Sequence, residues 1–147
     1  MKWKVGIPIL LALVAGGAAY AIFGGFTPLY RSDVHIIEQK TRRFWECIQF
    51  KEFGEAAAFH SAADQKKADI PKLIEKTFKV PPEQLDIKEY QVRFAEVDST
   101  GILGRSKTRC IVELLNAKKT RKTEAVLYWK KENGRWYLKL ESTLKRF

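Results

Sequence analysis

The sequence predicts an α+β protein: three N-terminal helices packed on a curved, cone-like antiparallel sheet of about four strands, preceded by one transmembrane helix. Three observations support this class. An uncharged apolar run opens the chain, apolar residues then recur at helical spacing as far as Pro81-Pro82, and beyond that pair they alternate with a period of two. A length of 147 residues allows one ordinary domain, so helices and strands are expected to share one core.

The apolar run is residues 5–26, which contain no charge and follow the basic N-terminus 1–4. The run has the roughly 20 residues that a membrane-spanning helix needs. It predicts a single-pass membrane anchor. The N-terminus is then cytoplasmic and the domain periplasmic or extracellular, because Lys2 and Lys4 favour the cytoplasmic side. The alternative is a signal peptide cleaved near Ala21, which would release the domain as a secreted protein.

The domain is predicted to span 33–147, after a Gly/Pro linker at 27–32. Ser32 or Asp33 suits the N-cap of the first helix, because their side-chain oxygens can accept from free backbone N–H groups. The helix is predicted from apolar spacing. The residues of its buried stripe are Val34, Ile37, Thr41, Phe44 and Ile48.

Two more helices are expected before the strands. The stretch "FGEAAAFHSAADQ", residues 53–65, is rich in alanine and has no β-branched run, which favours a continuous second helix. Pro71 can occupy the first turn of a third helix, "PKLIEKTF". That helix should stop before Pro81, because proline breaks the helical hydrogen bonding.

The strands are predicted from alternation, and the last two are joined at Asn133-Gly134. The first strand presents Tyr90, Val92 and Phe94 as its apolar side. Asn-Gly between strands indicates a two-residue type I′ hairpin, since both central residues need positive φ. In that register Trp129 faces Leu138 and Leu127 faces Leu140. The four predicted strands are 85–99, 104–116, 123–132 and 135–143.

The turn "NAKKTR", 116–121, is predicted to join the middle strands. Matching their apolar faces pairs Cys110 with Leu127 and Val112 with Ala125. Arg109 would then lie beside Tyr128, and Lys107 beside Lys130. The hairpins therefore separate into a hydrophobic face and a basic-aromatic face.

Three features resemble the nuclear transport factor 2-like (cystatin-like α+β) superfamily: "FWECIQFKEFGEAAAFHS" at 44–61, the proline-bounded third helix, and the hairpin "YWKKENGRWYLKL" at 128–140. The resemblance covers about residues 33–140. It implies a curved sheet wrapped on a helix layer to form a cone. Members include small dehydratases and isomerases, and also non-catalytic domains. Some of the latter sit behind a single bacterial membrane helix, as in the assembly factors of type IV secretion systems.

The enzyme members imply an acid/base group inside the cone. His60 has Asp64 four residues on, so the two could share a helix face as a dyad, and Tyr90 could line the mouth of the cone. The other interpretation is a helix-end pair that faces water. No histidine or cysteine cluster predicts a metal site, and no motif predicts a cofactor. Cys47 and Cys110 are interpreted as buried thiols, with a disulfide as the lesser alternative.

The basic residues of the domain are concentrated near its end. Residues 103–147 carry 13 Lys and Arg against 4 Asp and Glu, whereas residues 27–102 carry 12 against 13. The predicted binding face is Arg105, Lys107, Arg109, Tyr128, Lys130, Tyr137 and Lys139, with the hairpin tip Lys118, Lys119, Arg121 and Lys122.

This face could bind an acidic protein partner or anionic lipid headgroups, while nucleic acid is not expected beside a periplasmic domain. A solvated face kept charged against aggregation is the alternative. With the resemblance, the sequence is interpreted as a non-catalytic binding or assembly module of the bacterial envelope, anchored in the inner membrane with its domain in the periplasm. The alternatives are a small lyase or isomerase that uses the cone, and a lipid or polyanion binder.

Overall fold

The structure of the chain is a computed structural model, and it describes residues 28–78 and 81–140. The helices are α1 (Pro28–Gln49), α2 (Phe53–Ala57), α3 (Ala62–Lys67) and α4 (Ile70–Thr77), followed by a 3₁₀ turn at Pro82–Gln84. The strands are β1 (Leu85–Val97), β2 (Leu103–Leu114), β3 (Lys119–Glu132) and β4 (Arg135–Leu138). They form one antiparallel sheet in the order β1-β2-β3-β4. The predicted α+β class is confirmed, with four α-helices within these residues instead of three.

The predicted membrane anchor, residues 5–26, lies outside the described residues. Within the described part, no helix is both long enough and apolar enough to cross a membrane. The fourth predicted strand ends early, at Leu138, so within the described residues Leu127 does not pair with Leu140 as predicted. Its last predicted residues, 141–143, also lie outside the described part.

Helix α1 packs on the sheet through the predicted stripe. Ile37, Thr41, Phe44 and Ile48 are all buried, Val34 at the start of the stripe is half-buried, and Trp45 beside them is 2% exposed. This spacing places one face of the helix against the sheet. The N-cap prediction is wrong, because the helix already begins at Pro28. Proline suits a first helical position, since its missing N–H would have no partner there in any case.

The predicted second helix is divided in two. The chain between α2 and α3 pairs with the edge of β4: His60 bridges to Leu138, and the Leu138 N–H donates to the Phe59 carbonyl at 2.9 Å. A residue cannot stay helical while it pairs with a strand, so α2 ends and α3 begins anew. Ser61 caps α3, because its Oγ accepts from the Asp64 N–H at 3.2 Å.

The third predicted helix is confirmed as α4. Asp69 is its N-cap and accepts from the Lys72 N–H at 3.3 Å, and Pro71 lies in the first turn. The Asn133-Gly134 hairpin is confirmed as well. Asn133 and Gly134 have φ of 49° and 75°, and Trp129 pairs with Leu138 as predicted.

The predicted register between β2 and β3 is wrong. Cys110 pairs with Thr123 instead of Leu127, and Thr108 pairs with Ala125. The reason is that β3 begins at Lys119, so the connection is the tight turn 115–118, with Lys118 at a φ of 48°. The shift is by four positions, an even number, so every side chain keeps its predicted face.

Strand β1 carries two register shifts, at Ile87/Glu89 and at Val92/Phe94. Each behaves as a β-bulge, which bends a strand and reverses the side-chain alternation beyond it. Tyr90 therefore faces the core as predicted. Phe94 does not: it is 38% exposed on the other face, and Ala95 packs inward in its place.

The helix layer lies very close to the sheet at Gly104. A Cβ placed there would lie 2.5 Å from Ile37 Cδ1 and 3.0 Å from the Glu96 carbonyl oxygen. Only glycine leaves room for α1 at this distance. The core beside this contact is filled by Leu127, Trp129, Trp136 and Leu138, each at most 1% exposed.

Candidate functional site

The outer sheet face is the surface directed away from α1. It contains the predicted binding face, that is, Arg105, Lys107, Arg109, Tyr128, Lys130, Tyr137 and Lys139. Strand alternation places these residues on one side, because the residues of the opposite parity are buried in the core. Tyr128 and Tyr137 are partly buried, while Arg105 and Arg109 are exposed.

The corrected register changes the neighbours on this face. Arg105, not Arg109, lies across from Tyr128, and Lys107 lies across from Val126. Lys130 faces Leu103 on β2 and Tyr137 on β4. The cations are therefore interleaved with aliphatic and aromatic side chains, and they do not stack in one basic row.

Acidic side chains accompany three of the cations. Lys107 Nζ lies 2.6 Å from Glu124 Oε2, and Arg105 pairs with Glu96 while its guanidinium stands 5.8 Å from the centre of the Phe94 ring. The hydrogen bond from Lys107 lowers the pKa of Glu124. The outer face thus has mixed charge.

Lys130 belongs to the most enclosed pair of this face. Its Nζ lies 2.9 Å from Glu132 Oε1 and 3.4 Å from Asp64 Oδ2. The hydrogen bond to Glu132, with Asp64 as a further contributor, raises the pKa of Lys130. Lys130 thereby ties helix α3 to the sheet.

The side chains of the predicted hairpin tip lie on both faces of the sheet and not on the outer face alone. Lys122 follows the outer parity of Glu124, whereas Lys119 and Arg121 share the parity of the buried Ala125. The four-position shift of register moves these residues from a loop into β3. All six residues from Lys119 to Glu124 are exposed.

His60 and Asp64, the predicted dyad, are brought near each other without forming one. His60 is 1% exposed, and its Nδ1 lies 3.3 Å from the Ala57 carbonyl. Asp64 turns to Lys130 instead. Burial lowers the pKa of His60, against the opposing effects of Ala57 and Asp64, so the ring is held neutral.

Tyr90 lies far from this pair. It is on β1 at one edge of the sheet, while His60 borders β4 at the other. Four strand spacings separate them, roughly 19 Å at about 4.8 Å each. Burial raises the pKa of Tyr90, which keeps its phenol protonated. Proton transfer between catalytic groups needs contacts of about 3 Å, so these three residues do not form one site.

A buried chain of hydrogen bonds was missed by sequence reasoning. Ser106 Oγ accepts from Trp129 Nε1 at 3.0 Å and lies 2.7 Å from Thr41 Oγ1. It joins α1, β2 and β3 beneath the sheet. The signal in the sequence was the small polar residues at the inward positions of "GRSKTRC". The polar groups of Thr41, Ser106 and Trp129 satisfy one another and are not directed at a ligand.

A cavity of about 350 Å³ remains between the end of α4 and the sheet. Its lining is mainly apolar and includes Phe78, Leu85, Val112 and Cys110, with Arg121 and Glu124 as its charged members. Burial raises the pKa of Cys110 to about 12, so this thiol is unreactive. Cys47 and Cys110 are both buried free thiols.

Within residues 28–78 and 81–140, no group of three or more His, Cys, Asp or Glu side chains is placed to hold a metal ion. No family model matches the sequence, and no curated protein matches it either.

Proposed function

We propose that the chain is a non-catalytic binding or assembly module of the bacterial cell envelope, with residues 5–26 as its inner-membrane anchor and the α+β domain in the periplasm. The proposed architecture is nuclear transport factor 2-like. The observation that carries the proposal is the outer sheet face, where partly buried tyrosines stand among ion-paired cations.

The composition of the outer face favours a protein as its partner. Tyrosine and arginine are enriched in protein interfaces, and complementary charges there give specificity. A lipid phosphate or another polyanion would have to compete with Glu96, Glu124 and Glu132 for the cations they already contact. An acidic protein surface can instead add its carboxylates beside the exposed Arg109 and use Tyr128 and Tyr137 as contact area.

The lyase or isomerase alternative has weaker support. It needs acid/base groups that converge on one cavity, and His60 and Tyr90 lie at opposite edges of the sheet. The cavity near α4 includes neither of them in its lining.

Photocrosslinking in living bacteria tests the partner proposal. A photoreactive amino acid at Arg109 or Tyr137 of the full chain should give a discrete protein adduct. The same probe at the exposed Glu75 on α4 is the matched control and should give none. Adducts with phospholipid alone, or equal adducts from all three positions, would reject the protein-partner proposal.

Membrane fractionation tests the anchor. The full chain should resist alkaline extraction, and the pair Leu13→Arg and Val14→Arg should release it. Arginine near the centre of a spanning helix costs about 2.5–3.5 kcal/mol. A mature chain that starts after Ala21 by mass spectrometry would establish the cleaved-signal alternative instead.

A further inference from the structure

Strand β3 extends well beyond its neighbour β4. It spans Lys119–Glu132, whereas β4 pairs only with the part from Trp129 to Glu132. The Lys139 N–H adds one more bond, to the Tyr128 carbonyl at 2.8 Å. Within residues 28–78 and 81–140, no strand pairs with this side of β3 between Thr120 and Val126. We call Thr120–Val126 the free edge.

The direction of the backbone groups follows from two hydrogen bonds. The Lys131 N–H donates to the Ile102 carbonyl at 2.8 Å, so the backbone groups of Lys131 face β2. The Tyr128 carbonyl accepts from the Lys139 N–H, so the backbone groups of Tyr128 face β4. The pairing of β2 with β3 has no register shift, so the two directions alternate along the whole strand. Four residues of the free edge therefore direct N–H and C=O groups away from β2: Thr120, Lys122, Glu124 and Val126.

The usual protections of an edge strand are few here. Proteins block such edges with proline, bulges, short length or charge, and lysine above all. The free edge has no proline and no bulge, so charge is its principal protection. Residues 115–123 contain four cations and no acidic residue, and Glu124, the acidic member of the edge, is bound by Lys107. The positive charge of this edge repels a basic strand but attracts an acidic one.

The cavity of about 350 Å³ opens beside this edge, since Thr123 and Ala125 belong to both. An added strand would place alternate side chains toward the cavity and the others toward the outer face. Apolar side chains would meet Val112 and Phe78 in the cavity, while acidic ones would meet Lys122 on the outer face. The volume lies within the range of about 300–1,000 Å³ that is common for ligand pockets.

We infer that the free edge of β3 binds an extended, acidic segment of a partner protein by strand addition, with alternate apolar side chains inserted in the cavity. Main-chain hydrogen bonds would supply affinity, and the cavity with its flanking cations would supply selectivity. This inference rests on the proposed function, because it says how an assembly module holds its partner. It uses a site separate from the outer-face tyrosines, so either can fail without the other.

Peptide binding to the full chain in non-ionic detergent tests the inference. The probe is a fluorescein-labelled peptide of alternating glutamate and valine, long enough to span Thr120–Val126. It should bind roughly tenfold or more tightly than two controls, one with lysine for glutamate and one with the same residues sorted into two blocks. Equal binding of the block peptide would overturn strand addition.

Amide hydrogen exchange gives a readout specific to the edge. Saturation with the alternating peptide should slow exchange at Thr120, Lys122, Glu124 and Val126. Arg121 and Thr123, which already face β2, should change little. No slowing at the four edge amides would overturn the inference. So would edge amides that are already protected in the free chain and released when residues 141–147 are deleted, since the occupant would then be the chain itself.

Substitution at Lys122 separates the hydrogen bond from the charge. Lys122→Gln removes the charge alone and should weaken binding by about two- to threefold. Lys122→Pro also removes an N–H that β2 does not use, and it should weaken binding by roughly a further tenfold. Unchanged melting and circular dichroism confirm that both variants fold. Equal affinities of the two variants would overturn the inference.

Discussion

The two ends of the β2–β3 hairpin share one continuous ladder and differ in almost everything else. We call the end away from the turn the closed end. There Leu103–Thr108 pairs with Ala125–Lys130, and alternate side chains are buried under α1. We call the end at the 115–118 turn the open end. There Arg109–Leu114 pairs with Lys119–Glu124, and all of these β3 residues are exposed. Backbone pairing is the same at both ends, so the helix layer accounts for the difference.

This contrast indicates that one end of the hairpin contributes to stability and the other to binding. Buried apolar area stabilises the closed end, because removal of apolar surface from water is the main favourable contribution to folding. The open end keeps its backbone groups and cavity available at little cost to stability. Changes at the closed end should therefore act on unfolding, and changes at the open end on binding.

The largest expected effect is at Trp129. Trp129→Ala should lower the free energy of unfolding by about 3–5 kcal/mol, because it leaves a cavity and takes a hydrogen bond from Ser106. Thr123→Ala, at the open end of the same strand, should change it by about 0.5 kcal/mol or less. Urea unfolding of both variants measures the contrast. Similar losses at the two positions would show that the hairpin is equally important to stability along its whole length.

The next effect concerns Gly104, where α1 lies close to the sheet. Gly104→Ala should cost about 1–3 kcal/mol, because the added methyl group meets Ile37 Cδ1. Ile37→Val removes that atom and should recover part of the loss in the double variant. Gly54→Ala, where nothing lies within 4 Å, is the control and should be neutral or stabilising. A double variant that only adds the two losses would place the strain elsewhere, for example at the Glu96 carbonyl.

The closed end could be predicted from sequence to a large extent. Asn133-Gly134 allows only a few turn types, so it fixes the register of β3 and β4 and the burial of Trp129 and Trp136. Helical spacing did the same for Ile37 and Phe44. In both cases strong local chemistry agrees with the tertiary structure.

The open end could not be predicted in the same way. The polar residues of "KTRK", 119–122, look like a loop because an exposed edge strand has no apolar alternation to reveal it. Phe94 was misplaced because a bulge depends on the bending of the whole sheet, which single-sequence patterns do not record. His60 was assigned to a helix face because its pairing with Leu138 is a contact between distant segments.

A smaller effect is expected from pH at His60, beside β4. Because burial lowers its pKa, the unfolded chain binds a proton below about pH 6.5 while the folded chain does not. Stability should fall as the pH drops through that value, by at most about 1.4 kcal/mol per pH unit. His60→Asn, which can keep a donor toward Ala57, should flatten the dependence in urea unfolding between pH 7.5 and 5.5. His35→Asn on the exposed side of α1 is the control, and an equal flattening there would remove His60 from the explanation.

The smallest effect on stability is expected at the Lys107–Glu124 ion pair of the outer face, where the side chains are 33% and 45% exposed. Water screens such pairs, and ordering two flexible side chains offsets most of the attraction. A cycle of Lys107→Met and Glu124→Gln should show weak coupling in urea unfolding. The lowered pKa of Glu124 means that any contribution is present at neutral pH and lost in acid, as the pH falls through the folded-state value.

The same pair should matter more for binding than for folding. Lys107 pairs with Glu124, the acidic residue of the free edge, so Lys107→Met should remove the salt-bridge partner of a carboxylate where an acidic strand has to dock. The alternating peptide should then bind less tightly to Lys107→Met, and Glu124→Gln in the same chain should restore its affinity. The difference should shrink in roughly 1 M salt, where screening acts within about 3 Å. If Lys107→Met instead lowers stability as much as Trp129→Ala and leaves peptide affinity unchanged, the open end serves folding, and the contrast between the two ends fails.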